Sequence, residues 1–459
     1  MKAMPETATA AERLGAWTAA LDLECVPHSV RRIAVRCLID LFAVCIGGAE
    51  HRISGQARAL ALGEHATGPA RLFGEGARIS ATGAAFANAV AAHAYDFDDT
   101  CYAGITHGTA VIGPAVLAAA EAAKADGRTL LEGFIAGSEV AYGLGKATGN
   151  SVYFNGWWGT TVYGAVGAAA GAAKVLGLDA RQTTDAIALA TLGTGGMLSG
   201  LGTDAKPLTC GFAAQHGIRA ALLARAGAVG PARVIDGTRG FAEVFNDGRF
   251  DPAPLGRLGR EWSLLEPGIF VKPYPSCSAS HAALEALHEM IQSHALTPGD
   301  IARVRCHVPR LVAISLVYDR PASPAEAQFS MPFLAACMIE RGRVGVGEIG
   351  AGILADPAIG ATMSKVEMIE DADLSERSLA GDIGPECARV EITTTAGATL
   401  DRFNGVATGA PGKPMSDAAL DGKFLTLAAH GGLAESDARA LLSRLRSIDT
   451  LETLHNLVP

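Results

Sequence analysis

The stretch IARVRCHVP, residues 301–309, alternates apolar and polar side chains, the period of a strand with one buried face. The residues ahead of it carry a different period. TTVYGAVGAAAGAAKVL, residues 160–176, predicts a helix of very small side chains, against which other helices can lie close. Further helices are expected over 8–22, from Val30 to a glycine stop at Gly47-Gly48, and over 54–64, 79–95, 129–148, 181–193, 211–227 and 236–245. A short strand near Ala70–Phe73 interrupts them. Beyond 309, residues 388–400 alternate again, with Ala396-Gly397 as a turn before Thr399–Phe403. Residues 328–342 and 347–355 read as helical, and the tail from Ser416 to Leu457 returns to helix. The pattern describes a mainly α protein. A large all-α helical domain takes residues 1–267 and 406–459, and a smaller α+β domain, residues 268–405, is inserted in it.

The 459 residues are 49% hydrophobic and 19% charged, enough for a large core or a core plus an oligomer interface. No apolar run approaches the roughly 18 residues of a membrane span: Leu41–Gly48 lies between Asp40 and Glu50. Lys2, Glu6, Glu12 and Arg13 leave no room for the apolar core of a signal peptide. Nine cysteines without a CxxC pair fit a reduced, cytoplasmic location better than a disulfide frame or a zinc ribbon. A net charge of −9 with no basic stretch speaks against nucleic acid.

Residues 93–109, HAYDFDDTCYAGITHGT, concentrate the reactive side chains: Asp96, Asp98, Asp99, Thr100, Tyr102, His93 and His107. On a helix Asp96 and Asp99 share a face, while Asp98 and Asp99 cannot both point inward. Tyr102–Gly108 reads as a loop, and the helix after it takes Pro114 in its first turn. A carboxylate on one ring nitrogen of His107 would fix its tautomer and free the other for proton transfer. The plainer reading is that the acids solvate a helix end. Mg²⁺ between the acids is a further alternative. Two other stretches carry candidates. In TDAKPLTCGFAAQ, residues 203–215, Lys206 precedes a proline and is expected to be extended. In KPYPSCSASH, residues 272–281, Lys272 begins a stiff loop and His281 opens a helix with Ser280 as its cap. Gly143-Leu144-Gly145-Lys146 fails as a phosphate loop, because Val140 and Ala147 stand at required positions. Gly193-Thr194-Gly195-Gly196 follows a helix, not a strand, and there is no GxSxG elbow.

Five motifs in this order resemble the MmgE/PrpD family, which includes 2-methylcitrate dehydratase, cis-aconitate decarboxylase and iminodisuccinate epimerase. They are YDFDDT (95–100) with THG (106–108), TDAKPLTCGFAAQHG (203–217), FVKPYPSC (270–277), AQFS (327–330) and GAPGKP (409–414). The resemblance implies a helical domain, a smaller α+β lid domain, a homodimer, a site between the domains, and chemistry without metal or organic cofactor. It carries Asp96, Thr100, His107, Lys206 and Lys272 to the family's site positions. It also marks departures: Trp158 and Cys277 stand where the decarboxylases look to have histidines, and Thr100 to His107 is one residue longer.

The shared chemistry is proton removal from the carbon beside a carboxylate of a small anionic substrate. His107, held by Asp96, is the expected base, with Lys272, Tyr142, Tyr153 and Tyr318 as candidates for the opposite face. Thr100, Lys206, Cys277, Ser280 and His281 are expected to contact substrate. With two histidines replaced, an epimerase of the iminodisuccinate type is the leading expectation. A 2-methylcitrate-like dehydratase comes next, then a cis-aconitate-type decarboxylase or a non-catalytic carboxylate-binding relative.

Overall fold

In the computed structural model, which describes residues 8–455 and 457, glycine decides how the central helices stack. The helices Gly127–Thr148 and Gly159–Val175 touch backbone to backbone. A Cβ on Gly137 would lie 2.6 Å from the Gly167 carbonyl oxygen, and one on Gly171 would lie 2.6 Å from that of Gly133. The helix Ala205–Arg225 approaches as closely, since a Cβ on Gly217 would meet the Ala165 carbonyl at 2.6 Å. Around these three lie His28–Gly48, Ala81–His93 and Gly108–Ala123. Pro114 falls inside Gly108–Ala123 and not in its first turn, because that helix starts directly after His107. Ala10–Ala20 begins with a capping box between Thr9 and Glu12. The segment expected as helix over 236–245 turns irregularly first and is helical only over Phe241–Asn246. Residues 347–355 hold one short helical turn, Ala351–Leu354. Residues 1–7, which include Lys2 and Glu6 of the leader argument, lie outside the described residues.

The all-α expectation for this region needs one correction. Thr67–Arg71 pairs antiparallel with Arg78–Ile79 as a small ribbon. The Ala70–Phe73 expectation overlaps its first strand.

The second sheet has four strands in the order Val366–Glu370, Ile301–Val308, Ala388–Thr394, Thr399–Asn404. The first pair is parallel and the other two are antiparallel. Val304, Cys306 and Val308 are buried, as alternation requires, and Val304 sits beside Val366 and Ile392. Gly397, at φ 85°, makes the hairpin turn before Thr399. Val366–Glu370 has no counterpart in the sequence reading, since Val366 alone of its five residues is buried.

The apolar interior divides into two main clusters. The larger draws on residues from Ala10 to Val271 and again from Met415 to Leu457; the smaller spans Phe270 to Ala410. The tail therefore returns to the first cluster, with Phe424, Leu427 and Leu441 buried there. It brings Lys423, whose ammonium pairs with Asp40 at 2.6 Å and donates to the Phe97 carbonyl at 2.7 Å. Among the described residues no helix is long and apolar enough to cross a membrane.

Candidate active site

The helix Ala81–His93 ends where the chemistry begins. The chain turns through Asp96 at φ 49°, a left-handed conformation that short polar side chains tolerate best. This overturns the helical-face argument: Asp96, Asp98 and Asp99 leave an irregular turn in different directions, and all three carboxyls are buried. The turn is anchored at both ends. Thr100 and Phe270 exchange backbone hydrogen bonds of 2.9 and 2.7 Å, and Cys101 and Thr106 exchange two of 2.8 Å. The first pair ties the turn to the point where the chain passes between its two clusters.

Two lysines meet on one oxygen. Asp96 Oδ1 accepts from Lys206 Nζ at 2.8 Å and from Lys272 Nζ at 3.0 Å. Lys272, with no exposed surface, also donates to the Asp96 carbonyl at 2.7 Å. Lys206 is not extended as Pro207 suggests. It lies in the first turn of Ala205–Arg225, where a missing proline N–H leaves no intrahelical bond unmade. Its ammonium donates to His93 Nε2 at 2.6 Å and stands 5.0 Å from the Trp158 ring centroid. His93 Nδ1 faces Asp98 at 2.8 Å, so it carries the proton and Nε2 is the acceptor.

Asp96 does not hold His107. Its Oδ1 is 3.9 Å from His107 Nε2, beyond hydrogen-bond reach. The ring is oriented at its other nitrogen: Nδ1 lies 3.0 Å from the Asp99 carbonyl oxygen and 3.2 Å from Thr100 Oγ1. A carbonyl can only accept, so Nδ1 bears the proton and Nε2 presents a lone pair. Burial and then the Lys272 charge hold the ring's pKa well below the ordinary histidine value, so it is neutral at pH 7. Burial opposes charge on Asp96, but Lys206 and Lys272 outweigh it and keep the carboxyl well below its usual range. Asp98 ends at about 2, where His93 and His107 overcome the same burial.

A cavity of about 20 Å³ adjoins this cluster, walled by His93, Asp96, Lys206, Gly202, Gln328 and Phe329. It admits about one water and no carboxylic acid of metabolite size.

Residues 12–253 match the MmgE/PrpD N-terminal domain and residues 274–447 the MmgE/PrpD C-terminal domain. The chain belongs to the MmgE/PrpD family. It is 30% identical over 395 residues to the cis-aconitate decarboxylase of Homo sapiens, covering 83% of this chain and 76% of the relative. A cis-aconitate decarboxylase-like protein of Aspergillus oryzae is 26% identical over 465 residues, 95% of this chain and 93% of the relative. The cis-aconitate decarboxylase of Aspergillus terreus is 26% identical over 345 residues, 70% of each. With relatives of this kind, the chain is an enzyme of the MmgE/PrpD family.

The cluster gathers Asp96, His107, Lys206 and Lys272, and leaves other candidates behind it. Thr100 is turned to His107, placing it as a support of the ring rather than a substrate contact. Tyr142 is fully buried under Gly108, with Asp99 and Thr109 as neighbours, and does not face the cluster. Tyr153, in the short helix Ser151–Phe154, has its hydroxyl 3.3 Å from Ser315 Oγ, and burial raises that hydroxyl's pKa. Tyr318 stands at the rim, its hydroxyl donating to the Leu201 carbonyl at 3.0 Å over Gly202. Burial and Asp96 push the Cys277 thiol up to about 12, so it is not a thiolate. Ser280 has no side-chain cap bond; its hydroxyl donates to the Cys277 carbonyl at 2.9 Å. His281 is buried between Phe270 and Tyr274, with Nε2 3.2 Å from Ser276 Oγ, inside the smaller cluster and not at the cavity.

Sequence reasoning gave no role to His93, Asp98 or Trp158, although the first two lie inside the quoted stretch. His93, Asp96, Asp98 and His107 place four donor atoms within 4.8 Å of one another, a geometry that could hold a cation. Lys206 already bonds two of these four residues, so a metal there would have to displace an ammonium.

Proposed function

We propose that the enzyme removes a proton from the carbon beside a carboxylate of a small di- or tricarboxylate and returns it on the other face, as an iminodisuccinate-type epimerase does. The observation that carries this reading is the tautomer of His107. Its neutral Nε2 lone pair points to the side where Lys206 and Lys272 converge. A positioned base contributes about 10²–10⁴ in rate. The enediolate formed needs cations in place beforehand, each such donor worth roughly 2.7–4 kcal/mol. Lys272, from the lid side, is the candidate for the second face. The segment around the smaller cluster acts as the lid, since the closed cavity has no room for substrate.

A lyase outcome is the second reading, favoured by relatives named cis-aconitate decarboxylases. Loss of carbon dioxide gives the same kind of carbanion. The buried Trp158 stands among His93, His107 and Lys206 and offers no titratable group there.

Incubation with a panel of di- and tricarboxylates in D₂O, followed by proton NMR, separates these. Deuterium at the α-carbon with inversion and no net conversion supports the epimerase. A lost carboxyl or a new double bond replaces it with the lyase. No exchange with any acid of the panel removes the carbanion reading. We also propose a homodimer, supported by the exposed Leu192, Met197, Phe212 and Leu223; light scattering should give twice 47.0 kDa, and a monomer would refute it.

A further inference from the structure

Glu386 stands at the junction of three segments that come from distant parts of the chain. It follows Gly384-Pro385 and precedes the strand Ala388–Thr394. Its Oε2 accepts from the Tyr102 hydroxyl at 2.7 Å and its Oε1 from the Ser278 hydroxyl at 2.8 Å. Ser278 is next to Cys277 in the lysine loop. Tyr102 opens the Cys101–Thr106 turn, and His107 follows directly after that turn, its N–H bonded to Thr160 Oγ1 at 2.9 Å. One carboxylate therefore joins the loop that carries the proposed base to the loop that begins with Lys272.

We propose that Glu386 is a positioning residue: an acceptor from the lid segment that locks the His107 loop and the Lys272–His281 loop in register when the site closes. The proposal rests on His107 being the base, as argued above. Its chemistry is specific. Two hydroxyl donors need an acceptor at each of two oxygens, and a carboxylate supplies both; burial raises its pKa above the ordinary glutamate value, and the two hydroxyls counter that. Glutamine has the same shape but only one acceptor oxygen. Neither Tyr102 nor Ser278 reaches Asp96, Lys206 or Lys272 by any hydrogen bond among the described residues, so Tyr102→Phe cuts the link without removing a charge, whereas Glu386→Gln also removes a charge that Lys272 and Asp96 feel.

The test is amide hydrogen exchange on the ligand-free protein, which needs no substrate. In Glu386→Gln and in Tyr102→Phe, residues 101–107 and 276–280 should exchange about tenfold faster, as loss of a charge-assisted hydrogen bond allows. The helix Gly159–Val175 should be unchanged. Unaltered exchange in residues 101–107 overturns the proposal. So does faster exchange throughout, including Gly159–Val175, which would mark a general loss of stability. Should Glu386→Gln not fold, Tyr102→Phe, which keeps the ring's packing, decides alone. On a substrate found by the D₂O panel, kcat should fall about tenfold in each variant, and the double variant should be no worse than either. Full kcat in either single variant also overturns it. If the wild type turns over no acid of the panel, the functional reading fails, and the exchange result still decides the role of Glu386.

Discussion

The turn at residues 95–100 separates two buried charge clusters that treat the same side chain in opposite ways. On one side Asp96 and Asp98 face Lys206, Lys272, His93 and His107, and both carboxyls are held ionised, Asp98 at about 2. On the other, Asp99 lies near Asp40 with Lys423 as the lysine of that side. Burial and then the Asp40 charge push Asp99 up to about 7. Burial is complete on both sides, so burial does not decide which carboxylate keeps its charge. The approach of lysine ammonium groups to Asp96 and of the two imidazoles to Asp98 does. The first side sets two lysines on one carboxylate oxygen. The second brings Asp99 close to neutral-pH titration and fixes the backbone: Lys423 grips the Phe97 carbonyl, and Thr109 donates to Asp99 at 2.7 Å.

The largest test removes one partner from each side. Asp96→Ala leaves two buried ammonium groups without their anion, and breaking such a pair costs about 3–5 kcal/mol. Lys423→Met leaves Asp40, which burial already pushes toward the neutral form and which can take up a proton instead. Urea unfolding should therefore show a clearly larger loss for Asp96→Ala. Equal losses would erase the distinction between the two sides.

Next in size is the base. His107→Gln should lower kcat by about 10² or more with little change in KM, because a base acts in the transition state. Lys206→Ala should raise KM as well, since a proposed carboxylate partner acts in both ground and transition states. The folded pKa of His107 is depressed below 6.5, so the wild-type acid limb of kcat/KM should lie below the ordinary histidine range. A limb at or above 6.5 would place the critical proton on another group.

The smallest effect concerns the proton on Asp99. Its folded pKa, about 7, lies above the unfolded value near 3.9. The stability it contributes is full below the unfolded value and is lost as pH rises through 7. Asparagine keeps the acceptor and cannot ionise. Asp99→Asn should therefore gain a few degrees of Tm relative to wild type on going from pH 5 to pH 8, by calorimetry. Asp96 and Asp98 have the opposite sign: their contribution is full above the unfolded value and lost as pH falls through the folded one. A Tm difference that does not move with pH would mean that Asp99 is ionised throughout.

The sequence carried some of this and not the rest, for physical reasons. Alternation in 301–309 reports a buried strand face directly, and Gly397 marks a turn that needs positive φ. Lys206, Lys272 and His107 could be singled out because a proline or glycine follows each of them in the sequence. What they bond to could not. Lys206 and Lys272 lie 110 and 176 residues from Asp96, so their partners are set by tertiary packing. His107 looked like a ligand of Asp96 because sequence shows side chains and hides carbonyls; the Asp99 carbonyl does that work. The shared-face argument for Asp96 and Asp99 fails because nothing in YDFDDT announces a left-handed residue. The Val366–Glu370 strand is legible only through its parallel neighbour.

The 20 Å³ cavity has a kinetic consequence. For the proposed substrate the pocket must widen, and where that opening precedes binding the apparent affinity falls with the fraction of open molecules. With one molecule in a hundred open, the apparent Kd is about a hundredfold weaker than the intrinsic one. Under rapid mixing the observed binding rate should level off with concentration at the same ceiling for every acid that fits.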